Sequence, residues 1–374
     1  MTGGSSVGPD MTSALYVGLM SGTSLDGVDA VLADLSGARP VLLTNAHVPF
    51  DPRLQRELLA LNASGANEIE RAALAGNELA QRYADAVAAV LATSNTRSSA
   101  VRAIGCHGQT VRHRPECGYT TQIGNAAQLA ELTRIRVVAD FRSRDVAAGG
   151  QGAPLAPAFH AAVFALAAED RVVLNLGGIA NLSFLPRQSE VTGFDSGPGN
   201  CLLDLWSARH LGRPHDEGGA WAAAGAVIPA LLERMLQEPY FLAPPPKSTG
   251  RDLFNEDWLR EKLRGDEEPQ AVQATLLELT ARSLTNAVAR HCAGARRLIV
   301  CGGGAKNGAL LRRLAELAAP AALETSDRHG IDPKLVEAMA FGWLAKRTLD
   351  GEAGNLPSVT GARASRVLGA IYPA

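Results

Sequence analysis

The chain has 374 residues, 46% hydrophobic and 20% charged, with a formal net charge of −2. That composition is globular, leaves room for two domains, and lacks the basic excess that nucleic acid or an anionic membrane surface calls for. Its five cysteines, Cys106, Cys117, Cys201, Cys292 and Cys301, form no C-x-x-C pair. Neither a zinc knuckle nor a disulfide framework is expected, and a reducing cytoplasm suits them.

Residues 1–13 are Gly/Ser-rich, with no basic or apolar leader region. A disordered tail is expected there, with Met11 as an alternative start. Residues 15–19, 28–35 and 41–48 read as three consecutive strands. Between the first two lies Ser21-Gly22-Thr23-Ser24-Leu25-Asp26-Gly27-Val28-Asp29, read as a hairpin tip. Such a tip exposes backbone N–H groups and hydroxyls, which is what a polyphosphate needs. Asp26 and Asp29 would repel bare phosphate but make sense beside a divalent cation. An ordinary glycine-containing hairpin satisfies the same spacing.

A helix at residue 52, capped by Asp51, and a long helix over 68–93 follow. Strand 101–106 leads into the polar loop His107-Gly108-Gln109-Thr110. Helix 126–133 and strand 136–141 end at the charged cluster Asp140-Phe141-Arg142-Ser143-Arg144-Asp145. Chain ends of strands are where ligands bind in α/β folds, although a charged cluster can also be a solvated surface. Near Gly149-Gly150-Gln151-Gly152 the sequence changes character, which marks a domain transition. The most apolar stretch, 153–168, is interrupted by Pro154, Pro157 and His160 and is too short to span a bilayer.

Strands 172–176 and 179–185 flank Gly177-Gly178, an echo of the first strand–turn–strand unit. This turn presents backbone N–H groups to a phosphate or is a glycine bulge. Strand 191–194 then enters the turn Asp195-Ser196-Gly197-Pro198-Gly199-Asn200, before a helix over 201–211. Asp195 reads there as a general base, a metal ligand or a helix-capping acid. Helices follow at 227–237, 255–263 and 271–292, with Pro244-Pro245-Pro246 as a stiff connector. Strand 298–301, Gly302-Gly303-Gly304 and a helix from 307 let a backbone approach an anionic or flat ligand. Asn307 stands where a dinucleotide fingerprint needs its third glycine, and no Walker A loop occurs. Glu337 is a lone acid in the apolar helix 333–349, at its wet edge or facing a cleft. A last strand is expected at 367–372.

The pieces Gly18–Asp29, Cys106–Thr110, Ala139–Arg142, Gly149–Leu155, Asn175–Leu182, Gly193–Asn200, Cys301–Asn307 and Glu337–Phe341 together resemble the anhydro-N-acetylmuramic acid kinases. These belong to the sugar-kinase, Hsp70 and actin superfamily. The resemblance implies an α/β fold of two echoing actin/hexokinase-like (ribonuclease H-like) domains around a central cleft. One domain spans 14–150, completed by 350–374, and the other spans 151–349. It also implies a cytoplasmic homodimer that uses ATP and Mg²⁺, with anhydro-N-acetylmuramic acid as its partner and neither nucleic acid nor membrane.

By that likeness Asp195 is the catalytic base. The implied nucleotide site comprises Gly22, Thr23, Ser24, Leu25, Asp26, Gly27, Val28, Asp29, Gly177, Gly178, Gly303 and Gly304. Asp26 reads as the metal-side acid, acting through water, since Mg²⁺ retains several waters. His107, Gln109, Arg142 and Glu337 are substrate-binding candidates by position. The competing readings are another sugar kinase or phosphohydrolase of the superfamily, or a nucleotide-switched module without catalysis.

Overall fold

The computed structural model describes residues 14–22 and 24–374. Thr23 and the tail 1–13, expected to be disordered, lie outside the described residues. The strands are β1 (Leu15–Met20), β2 (Gly27–Asp34), β3 (Val41–Pro49), β4 (Val101–Cys106), β5 (Gln109–Arg114), β6 (Tyr119–Ile123), β7 (Val137–Ala139), β8 (Arg171–Leu176), β9 (Ile179–Leu185), β10 (Thr192–Pro198), β11 (Arg297–Cys301), β12 (Ala322–Thr325) and β13 (Ala370–Tyr372). The helices are α1 (Pro52–Ala60), α2 (Glu68–Thr93), α3 (Ala126–Thr133), α4 (Ser143–Ala147), α5 (Ala156–Phe164), α6 (Cys201–Leu211), α7 (Ala220–Ala223), α8 (Pro229–Leu236), α9 (Glu256–Lys262), α10 (Pro269–His291), α11 (Gly308–Ala318), α12 (Val336–Leu349) and α13 (Pro357–Thr360).

Two sheets carry the same wiring. In the first, β1, β2 and β3 form an antiparallel meander, β4 lies parallel to β1, and β7 lies parallel to β4. In the second, β8, β9 and β10 form the meander, with β11 parallel to β8 and β12 parallel to β11. The first sheet gains β13, antiparallel to β7. The echo expected from Gly22 and Gly177 is therefore a repeat of strand order, and the fold is the α/β arrangement the resemblance implies.

Strand β1, Leu-Tyr-Val-Gly-Leu-Met, is buried on both faces and so shows no polar alternation. On one side its Val17 and Leu19 pack with Leu79, Tyr83 and Val87 of α2. On the other, Tyr16 joins an apolar layer with Phe159 of α5, Val173 and Ile299 of the second sheet, and Met339 of α12. Helix α12 sits against bare strand backbone. A Cβ on Gly18 would lie 1.9 Å from Ala338 O, and one on Gly105 would lie 2.0 Å from Phe341 O. This seating fixes the position of Glu337 at the start of α12.

Three sequence expectations are corrected. Residues 27–29 are not part of a hairpin tip but the start of β2, with Asp29 paired opposite Met20 and His47. Asp195 lies inside β10 rather than in a turn after it; pairing with β9 slips between Asp195 and Gly197, a bulge that adds a residue to the strand. The polar loop after β4 is only two residues long, since Gln109 opens the β5–β6 hairpin. Gly105→Val should lower the unfolding free energy by about 1–3 kcal/mol through overpacking against α12. An unchanged urea midpoint would refute this seating of the helix.

Candidate active site

The first turn is pinned from below. Ser21 Oγ meets Tyr83 OH at 2.8 Å and donates to Gly108 O at 3.1 Å. Gln109 Nε2 donates to Gly22 O at 3.2 Å. Leu25 takes φ 57° and buries its side chain, as does Val28, so these two have only backbone to offer a ligand. Gly27 presses on the neighbouring strand, where a Cβ would meet Val48 O at 2.4 Å. Ser24 Oγ donates to Asp26 Oδ1 at 2.6 Å, while Asp29 pairs with His47 Nδ1 at 2.8 Å. Asp26 remains exposed at the end of the turn.

The second and third turns lie side by side. Gly177 O and Gly178 O accept the backbone N–H groups of Gly199, Asn200 and Cys201 at 2.9–3.0 Å. Asn200 Nδ2 donates to Leu176 O at 3.0 Å. A Cβ on Gly304 would lie 3.0 Å from Asn200 Oδ1, whereas one on Gly303 would meet nothing within 4 Å. Gly303 therefore faces open space over a tightly packed Gly304. Asn307 caps α11 by accepting Leu310 N–H at 3.0 Å. A Cβ on Gly219 would come within 2.1 Å of Asn307 Oδ1. The Gly218-Gly219 pair thus borders the third turn, and sequence reading passed over it. A hollow of about 660 Å³, lined by Ala222, Val227, Leu277, Ala309 and Arg313 among others, lies on the same side.

Asp195 lies half-buried in β10, an edge strand of the second sheet. Thr249 N–H donates to its Oδ2 at 3.1 Å, and Tyr240 OH donates to its backbone carbonyl at 2.7 Å. Lys247 donates to Tyr240 O at 2.9 Å, with its ammonium 4.6 Å from the Tyr240 ring centroid. The loop after Pro244-Pro245-Pro246 is therefore the cover over the carboxylate. Its run of small and hydroxyl residues with one cation, Lys247-Ser248-Thr249-Gly250, was the signal that could have shown this in the sequence.

Arg142 follows β7 through the left-handed Asp140, φ 57°, which ends that strand sooner than expected. Its Nε and Nη2 donate to His107 Nε2 at 3.2 and 2.9 Å, and its Nη1 donates to Gly152 O at 2.7 Å. Burial lowers the guanidinium's proton affinity, and the charges of Glu337, Asp195 and Asp145 restore part of it. Glu337 accepts Asn175 Nδ2 at 3.4 Å, and burial raises its carboxyl against the pull of Arg142. His107, whose ring lies 4.6 Å from that of Phe341 and tilted 43° to it, is pushed down to about 3 by burial and by Arg142. His107 Nδ1 and Gln109 Oε1 are buried without a hydrogen-bond partner among the described residues. Hydrogen bonds thus tie Gln109 to the first turn and Arg142 to His107, while Glu337 and Asp195 act on Arg142 through charge and not through a bond.

Burial raises the Asp195 carboxyl from its ordinary 3.8 to about 6, while Thr249 N–H, Arg142 and Lys247 hold it down. Such a carboxylate is a base poised near neutrality. Because its folded value is raised, the stability Asp195 contributes is lost as pH rises through about 6. Asp195→Asn should stabilise the ligand-free protein at about pH 8, on the order of 2 kcal/mol, with no gain below about pH 4. Denaturant titrations at the two pH values check this.

The sequence model of the family described as anhydro-N-acetylmuramic acid kinase matches residues 14–374. The anhydro-N-acetylmuramic acid kinase of Variovorax paradoxus is 56% identical over 375 residues, 97% of this chain and 100% of that one. The proteins of that name from Nitrosospira multiformis and Thiobacillus denitrificans are 53% and 55% identical, over 97% and 96% of this chain and 100% and 97% of theirs. Likenesses to solved structures are distant. A ROK family glucokinase from Streptomyces griseus, in complex with glucose and AMPPNP, gives a TM-score of 0.43 at 13% identity, covering 89% of this chain and 100% of that one. The ADPNP-bound activator of the 2-hydroxyisocaproyl-CoA dehydratase from Clostridium difficile gives 0.45 at 12% identity, covering 90% and 97%. With more than half of its residues identical to these relatives along nearly its whole length, the chain belongs to the anhydro-N-acetylmuramic acid kinase family.

Proposed function

We propose that the protein performs the reaction its family is named for, with ATP as phosphoryl donor. It opens the 1,6-anhydro bridge of anhydro-N-acetylmuramic acid with water and phosphorylates O6, giving N-acetylmuramic acid 6-phosphate and ADP. The observation that carries the mechanism is Asp195, a half-buried carboxylate with a value near 6 beside Arg142 and Lys247.

The bridged sugar has no proton on O6, so ordinary activation of a hydroxyl cannot apply. Asp195 instead takes a proton from water as that water's oxygen bonds to C1. The C1–O6 bond breaks, O6 takes the γ-phosphoryl group, and the bond from that group to ADP breaks. The first half is the base role of an inverting glycosidase. In the second half the phosphoryl acceptor substitutes for a general acid, and positioning with charge neutralisation dominates.

The backbone of the first turn, from Gly22 to Asp29, and of Gly177-Gly178 binds phosphates in this reading, while Gly303-Gly304 borders the adenosine. Among the described residues no three His, Cys, Asp or Glu side chains group as a metal cage. An exposed Asp26 fits Mg²⁺ carried on the nucleotide and held through water, where it offsets phosphate charge. His107, Gln109, Arg142 and Glu337 face the sugar. Support comes from His107 Nδ1 and Gln109 Oε1, buried polar atoms without a hydrogen-bond partner among the described residues. We further propose two domains, 14–150 with 350–374 and 151–349, which close on the ligands. The family likeness supports a cytoplasmic homodimer. No helix among the described residues is long and apolar enough to cross a membrane.

Asp195→Asn should keep ATP binding by calorimetry and lose turnover on the order of 10²-fold or more; near-normal turnover would remove Asp195 from the base role. In ¹⁸O-labelled water the label should appear on C1 of the product. Label on phosphate would instead indicate a phosphohydrolase, and no label would indicate a simple kinase. ADP release should require the bridged sugar and be absent with unbridged N-acetylmuramic acid.

A further inference from the structure

Asp145, in α4, touches none of the groups assigned above to the reacting atoms, yet its carboxylate is wholly buried. Oδ1 accepts Asn355 Nδ2 at 2.6 Å and Thr360 Oγ1 at 2.8 Å, and Oδ2 accepts Gly152 N–H at 2.8 Å. All three donors are neutral. A buried carboxylate without a bonded cation is expensive, and packing alone does not call for one. What it does is gather three donors from two separate segments, Gly152 from one and Asn355 and Thr360 from the other. Gly152 takes φ 68°, and its carbonyl is the acceptor for Arg142 Nη1. A Cβ on Gly150 would lie 2.2 Å from Asp145 Oδ2, so the loop is pressed against the carboxylate. Gln151 N–H donates to Thr360 O at 2.8 Å, and Ser248 Oγ reaches Gln151 Oε1 at 3.5 Å, next to the Thr249 that holds Asp195.

We propose that Asp145 is a positioning residue for the active site. It holds Gly152 by its N–H, which aims the Gly152 carbonyl at Arg142 and fixes the guanidinium against His107 and toward Asp195. Asn355 and Thr360, from the C-terminal segment and α13, are the anchors of this clamp. The clamp makes the geometry around Arg142 depend on residues more than two hundred positions downstream. It rests on the reading of Asp195 as the base only for its kinetic consequence.

Asp145→Asn cannot satisfy the same donors. Whichever way the amide turns, its NH₂ faces either Gly152 N–H or the Asn355 NH₂. Thr360→Val removes one donor at nearly constant shape, and Thr360→Ser restores it. The first readout is the ¹⁵N resonance of His107 Nε2 in the ligand-free protein, assigned with His107→Gln. It should lose the signature of the Arg142 hydrogen bond in Asp145→Asn, lose part of it in Thr360→Val, and recover in Thr360→Ser.

The second readout is the acid limb of kcat/KM. Arg142, Lys247 and Tyr240 are the charged and titratable groups set against Asp195, and Arg142 holds its carboxyl down. Displacing Arg142 lets that carboxyl rise, so the acid limb should move upward by about one pH unit or less. A purely structural role would lower the melting temperature and move neither readout. An unchanged His107 signal in folded Asp145→Asn, or in Thr360→Val should Asp145→Asn not fold, overturns the proposal. A His107 signal that moves while the acid limb stays fixed upholds the clamp and counts against Asp195 as the base.

Discussion

Arg142 lies where a guanidinium is costly to bury, and the groups that offset the cost come from every part of the chain. His107 arrives at the end of β4, Gly152 from the loop before α5, Asp195 from the second sheet, and Glu337 from the first turn of α12. A charge buried among unlike partners is stable only when all of them are present in the right places. The two sheets and the seating of α12 therefore act on one cation. Its field in turn opposes the burial that raises Asp195 and Glu337. The Asp195 carboxyl is consequently set by the assembled fold and not by its immediate neighbours in sequence.

The repeat of strand order explains why glycines recur at the corners of the site. Each half opens with a meander whose first connection is a short glycine-rich turn, Ser21 to Asp26 in one and Gly177-Gly178 in the other. In the second half that turn is backed by Gly304 and Asn200, so two loops distant in sequence share one packed wall. In the first half the corresponding support is polar and comes from Tyr83 and Gln109. The two turns have the same topological place and different scaffolding.

Much of this was legible in the sequence because it is local. The alanine- and leucine-rich run that forms α2 has an unbroken helical period, and β8 with β9 has apolar runs around a glycine pair. The positions of Asp195, His107 and Arg142 at or near strand ends were visible as polar residues following apolar ones. What was not legible depends on partners elsewhere. Asp195 reads as a turn residue because glycine and proline follow it, but pairing with β9 carries the strand through to Pro198. The hairpin of β5 and β6 is rich in arginine, threonine and glutamine and shows little apolar alternation. Its two strands pair with each other and with neither large sheet. Lys247 and Thr249 look like the end of a linker until the loop folds over the carboxylate.

The bond from Arg142 to His107 fixes the tautomer of the imidazole. A guanidinium has only hydrogens to give, so Nε2 must be the lone-pair side of the imidazole and the ring's single proton must sit on Nδ1. Held down to about 3, the ring keeps that form at any pH a cell maintains. The buried ring is thus locked in one tautomer, with Nδ1 a donor and never an acceptor. Acidification within the living range does not change that polarity.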